Sequence, residues 1–278
     1  MEKDIKAHIN FIIIYYQNKG LKKIPSFQHE TVNIYYEDKG SGIPLVFIHP
    51  PAMGRKVFYY QEDLSKNFRV ILPDLSGNGD SIGEKNVTII GYAEEVVALL
   101  DHLQIEKAVV VGYSSGCTVA QEFALSFPNR ALGIILFGGF SEVMSMTFKY
   151  EHILGMYFVK KFPAFLQYII AASHTEDKKV RQILLDHMKK ANHKMWFQFY
   201  DRSLHFSCTD RLDQLQVPLL LLYGSRDFVN QHIRTYKRHT KFESVIIDKV
   251  FHQLPTKKWE IINQLVIGFV MEHFHSTL

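Results

Sequence analysis

The run Val109-Val110-Val111-Gly112-Tyr113-Ser114-Ser115-Gly116 limits what this chain can fold into more than any other stretch. Three β-branched residues lead into a Gly-x-Ser-x-Gly pattern, and an apolar helical pattern follows from Cys117 to Phe127. Strand, sharp turn and helix in that order are the context in which a serine is presented at a strained apex. Gly112 and Gly116 suit such a turn because neighbouring backbone comes close and a Cβ would collide. The apex serine points its oxygen out of the sheet, at the start of a helix whose free N–H groups favour negative charge.

With 278 residues the chain is long enough for one large α/β domain or two average ones. A formal charge of +4, with Lys and Arg scattered among Asp and Glu, argues against nucleic-acid binding. Two cysteines, Cys117 and Cys208, make no disulfide framework and show no metal-ligand spacing. Near the N-terminus, Ile5, Ile9, Ile12, Ile13 and Tyr16 recur at helical spacing before Gly20, so residues 1–25 are expected to form a helical extension. The apolar run Phe11–Tyr16 is too short to span a membrane and lacks a cleavage site, and a cytoplasmic location is expected.

Thr31 to Tyr36 reads as a first strand, and Pro44 to Ile48 as a strand buried on both faces that ends at His49-Pro50-Pro51-Ala52-Met53-Gly54. A helix is expected around Val57 to Ser65, then a strand from Arg69 to Leu72 and the loop Asp74 to Ser81. Thr88 can cap a helix whose apolar face holds Tyr92, Val96, Leu99, Leu100 and Leu103. Strands and helices alternate from residue 44 to 138, which predicts a mostly parallel sheet covered on both faces. From Ser141 to about Phe206 the strand pattern stops, and helical spacing rich in Met and aromatic residues replaces it. Alternation resumes with the strand Leu219 to Tyr223, then Asp227, a strand from Ser244 to Ile247 and a last helix to Phe274.

Five landmarks in this order resemble the α/β-hydrolase superfamily, in the branch with a serine nucleophile and a helical cap after the sixth strand. They are the strand ending at His49, the Asp74–Ser81 loop, the Gly112–Gly116 elbow, the strand end Tyr223-Gly224-Ser225-Arg226-Asp227, and Phe251-His252. The resemblance implies an α/β-hydrolase core from residues 26–140 and 207–278, with residues 141–206 as cap.

A serine hydroxyl is a weak nucleophile until a base takes its proton, and the base needs a carboxylate to hold its tautomer. In this superfamily the order is Ser, acid, His. Ser114, Asp227 and His252 fit it, with Glu142 as the rival acid after the sixth strand and Asp248 too close in sequence to His252. Among the other histidines, His8, His102, His187, His193, His239, His273 and His275 fall on predicted helix surfaces, while His174 and His205 lie in or near the cap. The oxyanion of an acyl-transfer site is held by the N–H after the serine, here Ser115, and by one from the loop after His49. The expected loop position is Pro51, which has no N–H, so Ala52 is expected to substitute. Tyr113, Met53, Met144 and Phe148 are the candidate substrate-binding residues. No metal cluster, dinucleotide loop or phosphate-binding lysine is legible, so no cofactor is expected.

The resemblance therefore implies an esterase-like hydrolase acting on a small, mostly apolar ester. Acyl transfer, peracid formation and carbon–carbon cleavage are alternatives on the same scaffold. A signalling protein that keeps the three residues to sense a small molecule is another.

Overall fold

The computed structural model describes residues 25–274, so the expected N-terminal helix lies outside the described residues. Strands β1 (Ser26–His29), β2 (Val32–Lys39), β3 (Pro44–Ile48), β4 (Arg69–Pro73), β5 (Ala108–Tyr113), β6 (Ala131–Phe137), β7 (Leu219–Gly224) and β8 (Glu243–Ile247) form one eight-stranded sheet. Their order is β1-β2-β4-β3-β5-β6-β7-β8. The pairs β1–β2 and β2–β4 are antiparallel, and every later pair is parallel. Strand β5, which carries the elbow, therefore lies between β3 and β6, inside the sheet.

Alternation of side chains along each strand divides the interior into two apolar layers. Val46, Val110, Ile134 and Leu221 pack into one, while Leu45, Val109, Val111, Ile135 and Leu222 pack into the other. This two-sided burial explains why the central strands read as continuous apolar runs. Each such side chain contributes about 1.5–3 kcal/mol on leaving water.

Helices α1 (Ile89–His102) and α2 (Gly116–Ser126) follow β4 and β5. The Thr88 hydroxyl caps α1, accepting from Gly91 N at 3.0 Å, as its sequence position predicts. The helix expected at Val57 to Ser65 is instead two short 3-10 turns, Arg55–Phe58 and Gln61–Lys66. Anchors at both ends override a regular helix. Arg55 N donates to Asp74 Oδ1 at 2.7 Å, and Gln61 Nε2 donates to Pro255 O at 3.0 Å. Strand β1 was not expected, because Ser-Phe-Gln-His offers only Phe27 to the core and shows no periodicity.

Between β6 and β7 lie α3 (Met146–Lys161), α4 (Pro163–His174), α5 (Lys178–Met188) and α6 (His193–Leu204), the helical cap inserted after the sixth strand. The chain leaves and re-enters the core at one point, where Cys208 N donates to Ser141 O at 2.9 Å. On the far side the cap is tied to the loop after β4. His187 Nε2 meets Asp74 Oδ1 at 2.9 Å, Lys190 Nζ meets Asp80 Oδ1 at 2.7 Å, and Asn192 N donates to Gly77 O at 2.9 Å. His187 is thus not on a solvated surface, as its helical position suggested, but buried against a carboxylate. After β7 come α7 (Ile233–His239), α8 (Leu254–Lys257) and α9 (Trp259–Phe274).

Candidate active site

Ser114 follows the last residue of β5 with φ at 53°, a left-handed conformation that a residue with a side chain rarely adopts. Sequence dictates this locally. A Cβ on Gly112 would stand 2.6 Å from Cys117 Cα, and one on Gly116 would overlap the Ile48 carbonyl oxygen. The turn is held by Ser114 N donating to Phe137 O at 2.9 Å and Cys117 N donating to Ser114 O at 2.9 Å. Strain of this kind costs on the order of 1–3 kcal/mol and persists because the surrounding backbone fixes it.

Asp227 follows β7 by three residues and caps a short 3-10 turn, with its Oδ1 accepting from Val229 N at 3.0 Å. Its Oδ2 lies 2.7 Å from His252 Nδ1. A carboxylate only accepts, so Nδ1 carries the proton and Nε2 is left as the acceptor. Gly138 leaves room for the ring, since a Cβ there would sit 2.9 Å from His252 Nδ1. Burial pulls the His252 pKa down, but the Asp227 charge and hydrogen bond and the charge of Glu151 outweigh it, and the net direction is upward. The Asp227 carboxyl is held below its ordinary range, burial being overcome by the charge and hydrogen bond of His252.

Ser114, Asp227 and His252 all line one cavity of about 350 Å³ under the cap. This is the size of a small-molecule site. Most of its wall is apolar, from Met53, Phe148, Leu154, Phe158, Phe165 and Ile169 among others. Pro50, Pro51, Tyr113 and Ser115 line the same cavity. His174 also lines it, and its Nδ1 donates to Ile170 O at 2.7 Å. Its Nε2 therefore accepts from the Tyr113 hydroxyl at 3.0 Å, and burial depresses its pKa to about 4, leaving the ring neutral.

Several expected placements differ. Ala52 does not offer its N–H to the cavity, because that group donates to Asn78 Oδ1 at 2.8 Å. Met53 N donates to Pro50 O at 3.3 Å, and Pro50 and Pro51 have no N–H, so this loop presents no free donor from residue 50 to 53. The Ser115 N–H, at the start of α2, donates to no group among the described residues. Met144 lies outside the cavity, 56% exposed, with its sulfur against the Thr235 hydroxyl. Glu142 accepts from Ser207 and Thr209, and Asp248 faces Ser225 and Lys249, so neither reaches His252. His205 is exposed and pairs with Asp201. The cavity residues Glu151, His152 and Gly155 were missed. They share a helical stripe with Phe148 on α3, and that spacing was the available signal.

Asp74, Asp80 and His187 come within ligating reach of one another. Their positive charge is supplied by protein, however. Arg55 Nη1 contacts Asp74 Oδ2 and Nη2 reaches Asp80 at 2.8 Å, with Lys190 on the other Asp80 oxygen. The residues fit a cap latch better than a cation site.

The strand order, the cap after the sixth strand and the strained apex converge with comparison to known proteins. A family described as having the alpha/beta hydrolase fold matches residues 43–180. This chain belongs to the α/β-hydrolase superfamily. An uncharacterised protein of Mycobacterium tuberculosis is 32% identical over 132 residues, a match spanning 45% of this chain and only 39% of that protein. A 2-hydroxy-6-oxononadienedioate/2-hydroxy-6-oxononatrienedioate hydrolase of Paraburkholderia phymatum is 29% identical over 225 residues, covering 70% of this chain and 75% of the relative. Among solved structures, a thermophilic esterase from Thermogutta terrifontis superposes with a TM-score of 0.78 at 23% identity, covering 90% of this chain and 99% of that one. That last likeness speaks for the fold. Among the described residues, no helix of this α/β hydrolase is long and apolar enough to cross a membrane.

Proposed function

We propose that this chain is a serine hydrolase of the carboxylesterase kind, cleaving a small, mostly apolar ester through an acyl-serine intermediate. The observation that carries the reading is the His252–Asp227 pair, 2.7 Å apart, opening on the same cavity as the strained Ser114. Ser114 Oγ attacks the ester carbonyl while His252 Nε2 takes its proton. His252 then returns that proton to the leaving alkoxide as the carbon–oxygen bond breaks, and Asp227 stabilises the imidazolium throughout. Water, activated by the same imidazole, attacks the acyl-serine and releases the acid. Ser115 N–H and the start of α2 hold the oxyanion. The chemistry calls for no cofactor, and the partner is a small ester or acyl compound rather than nucleic acid, in a cytoplasmic setting.

The occupied N–H of Ala52 favours a second reading, a ligand-sensing protein with weak turnover. One missing oxyanion donor lowers the rate by about 10²–10³-fold. Hydrolysis of short p-nitrophenyl esters by the native protein and by Ser114→Ala separates the two. Turnover that disappears in Ser114→Ala, with fluorophosphonate labelling mapped to Ser114, supports the hydrolase. Tight binding with equal, negligible turnover in both proteins would support the sensor.

A further inference from the structure

Glu151 and His152, adjacent on α3, both line the cavity. Glu151 is exposed, lines the cavity that holds His252 and Asp227, and has no hydrogen-bond or ion-pair partner among the described residues. His152 Nδ1 lies 2.9 Å from Phe148 O and donates to it, so the buried Nε2 is an acceptor, and it has no partner. Among the described residues lining the cavity none is Lys or Arg. For the buried His152 Nε2, an acceptor left unpaired is costly unless a ligand brings the donor.

We propose that Glu151 and His152 form a specificity subsite for a substrate that carries an N–H or O–H donor, neutral or cationic, on its acyl chain, and that they reject carboxylate-bearing substrates. The inference rests on the hydrolase reading for its chemistry and adds the substrate class. The protein surrounding Glu151 and, secondarily, the nearby Asp227 raise its carboxyl pKa against the pull of His252.

The test uses p-nitrophenyl esters of three acyl chains matched in length: plain alkyl, ending in an acetamide, and ending in a carboxylate. The native protein should prefer the acetamide to the carboxylate by about a hundredfold in kcat/KM. Glu151→Gln should shrink that ratio by about tenfold, because the repulsion goes while a polar group stays. An unchanged ratio in Glu151→Gln, or a native protein that takes the carboxylate as readily as the alkyl chain, overturns the subsite. Binding is read separately from the rise in melting temperature that each ester gives Ser114→Ala. Acetamide above alkyl above carboxylate supports the subsite even if no turnover is found, in which case only the hydrolase reading fails. A largest rise with the carboxylate ester sinks the subsite whatever the turnover.

Discussion

The backbone N–H of Ala52 is donated to the side-chain oxygen of Asn78 at 2.8 Å, and Ala52 itself holds φ at 64°. Asn78 is fixed to accept because its Nδ2 donates to Leu75 O and Ser76 O at 3.2 and 3.0 Å. This contact joins the loop after β3 to the loop after β4. Asn78→Ala leaves the buried N–H unpaired and should destabilise the fold by about 1–3 kcal/mol. Urea denaturation measures it, and a loss near zero would mean that the N–H finds another acceptor.

Ser114 bears its own conformational cost at φ 53°. Ser114→Gly removes both the hydroxyl and the penalty, so it should raise stability by about 1 kcal/mol while abolishing ester turnover. Ser114→Ala, which keeps the Cβ, should abolish turnover without that gain. Equal melting temperatures for the two variants would show that the elbow is unstrained.

His252 must be neutral to accept a proton, and its pKa lies above the ordinary value of 6.5. Burial lowers it, and the carboxylates of Asp227 and Glu151 raise it further than burial lowers it. Burial lowers the pKa values of the flanking His152 and His174, the latter to about 4. kcat/KM should therefore fall as pH drops through a point higher than for a free histidine. Glu151→Gln should move that acidic limb to lower pH, and a limb that stays in place would remove Glu151 from the account.

Asp227→Asn keeps the shape but can no longer hold the imidazole in the right tautomer. Turnover should drop on the order of 10³–10⁴-fold, with little change in melting temperature. A drop smaller than about tenfold would put the orienting acid elsewhere.

The latch between cap and core rests on Asp74. Its carboxyl is held well below the carboxylate range, since burial is outweighed by His187 and Arg55. A depressed folded pKa contributes stability above the unfolded value of about 3.9, lost as pH falls through the folded one. His187→Ala removes one buried partner and should cost about 1–3 kcal/mol at neutral pH, read by thermal or urea unfolding. Unchanged stability would show the latch to be idle.

The sequence alone determined the parts written in local chemistry. Gly112 and Gly116 around Ser114 announced the turn, continuous apolar runs announced strands buried on two faces, and Thr88 announced a helix start. Each signal lies within a few residues, where sterics and hydrogen bonding act directly. Chain order already favoured Asp227 over Glu142 and Asp248, but only the tertiary structure brought its carboxylate to His252 across two loops. It alone took Ala52 out of reach through Asn78, buried His187 on Asp74, turned Met144 outward and brought Glu151 into the cavity. These outcomes depend on partners between 25 and 113 residues apart in the chain, which pairwise contact fixes and local periodicity does not record.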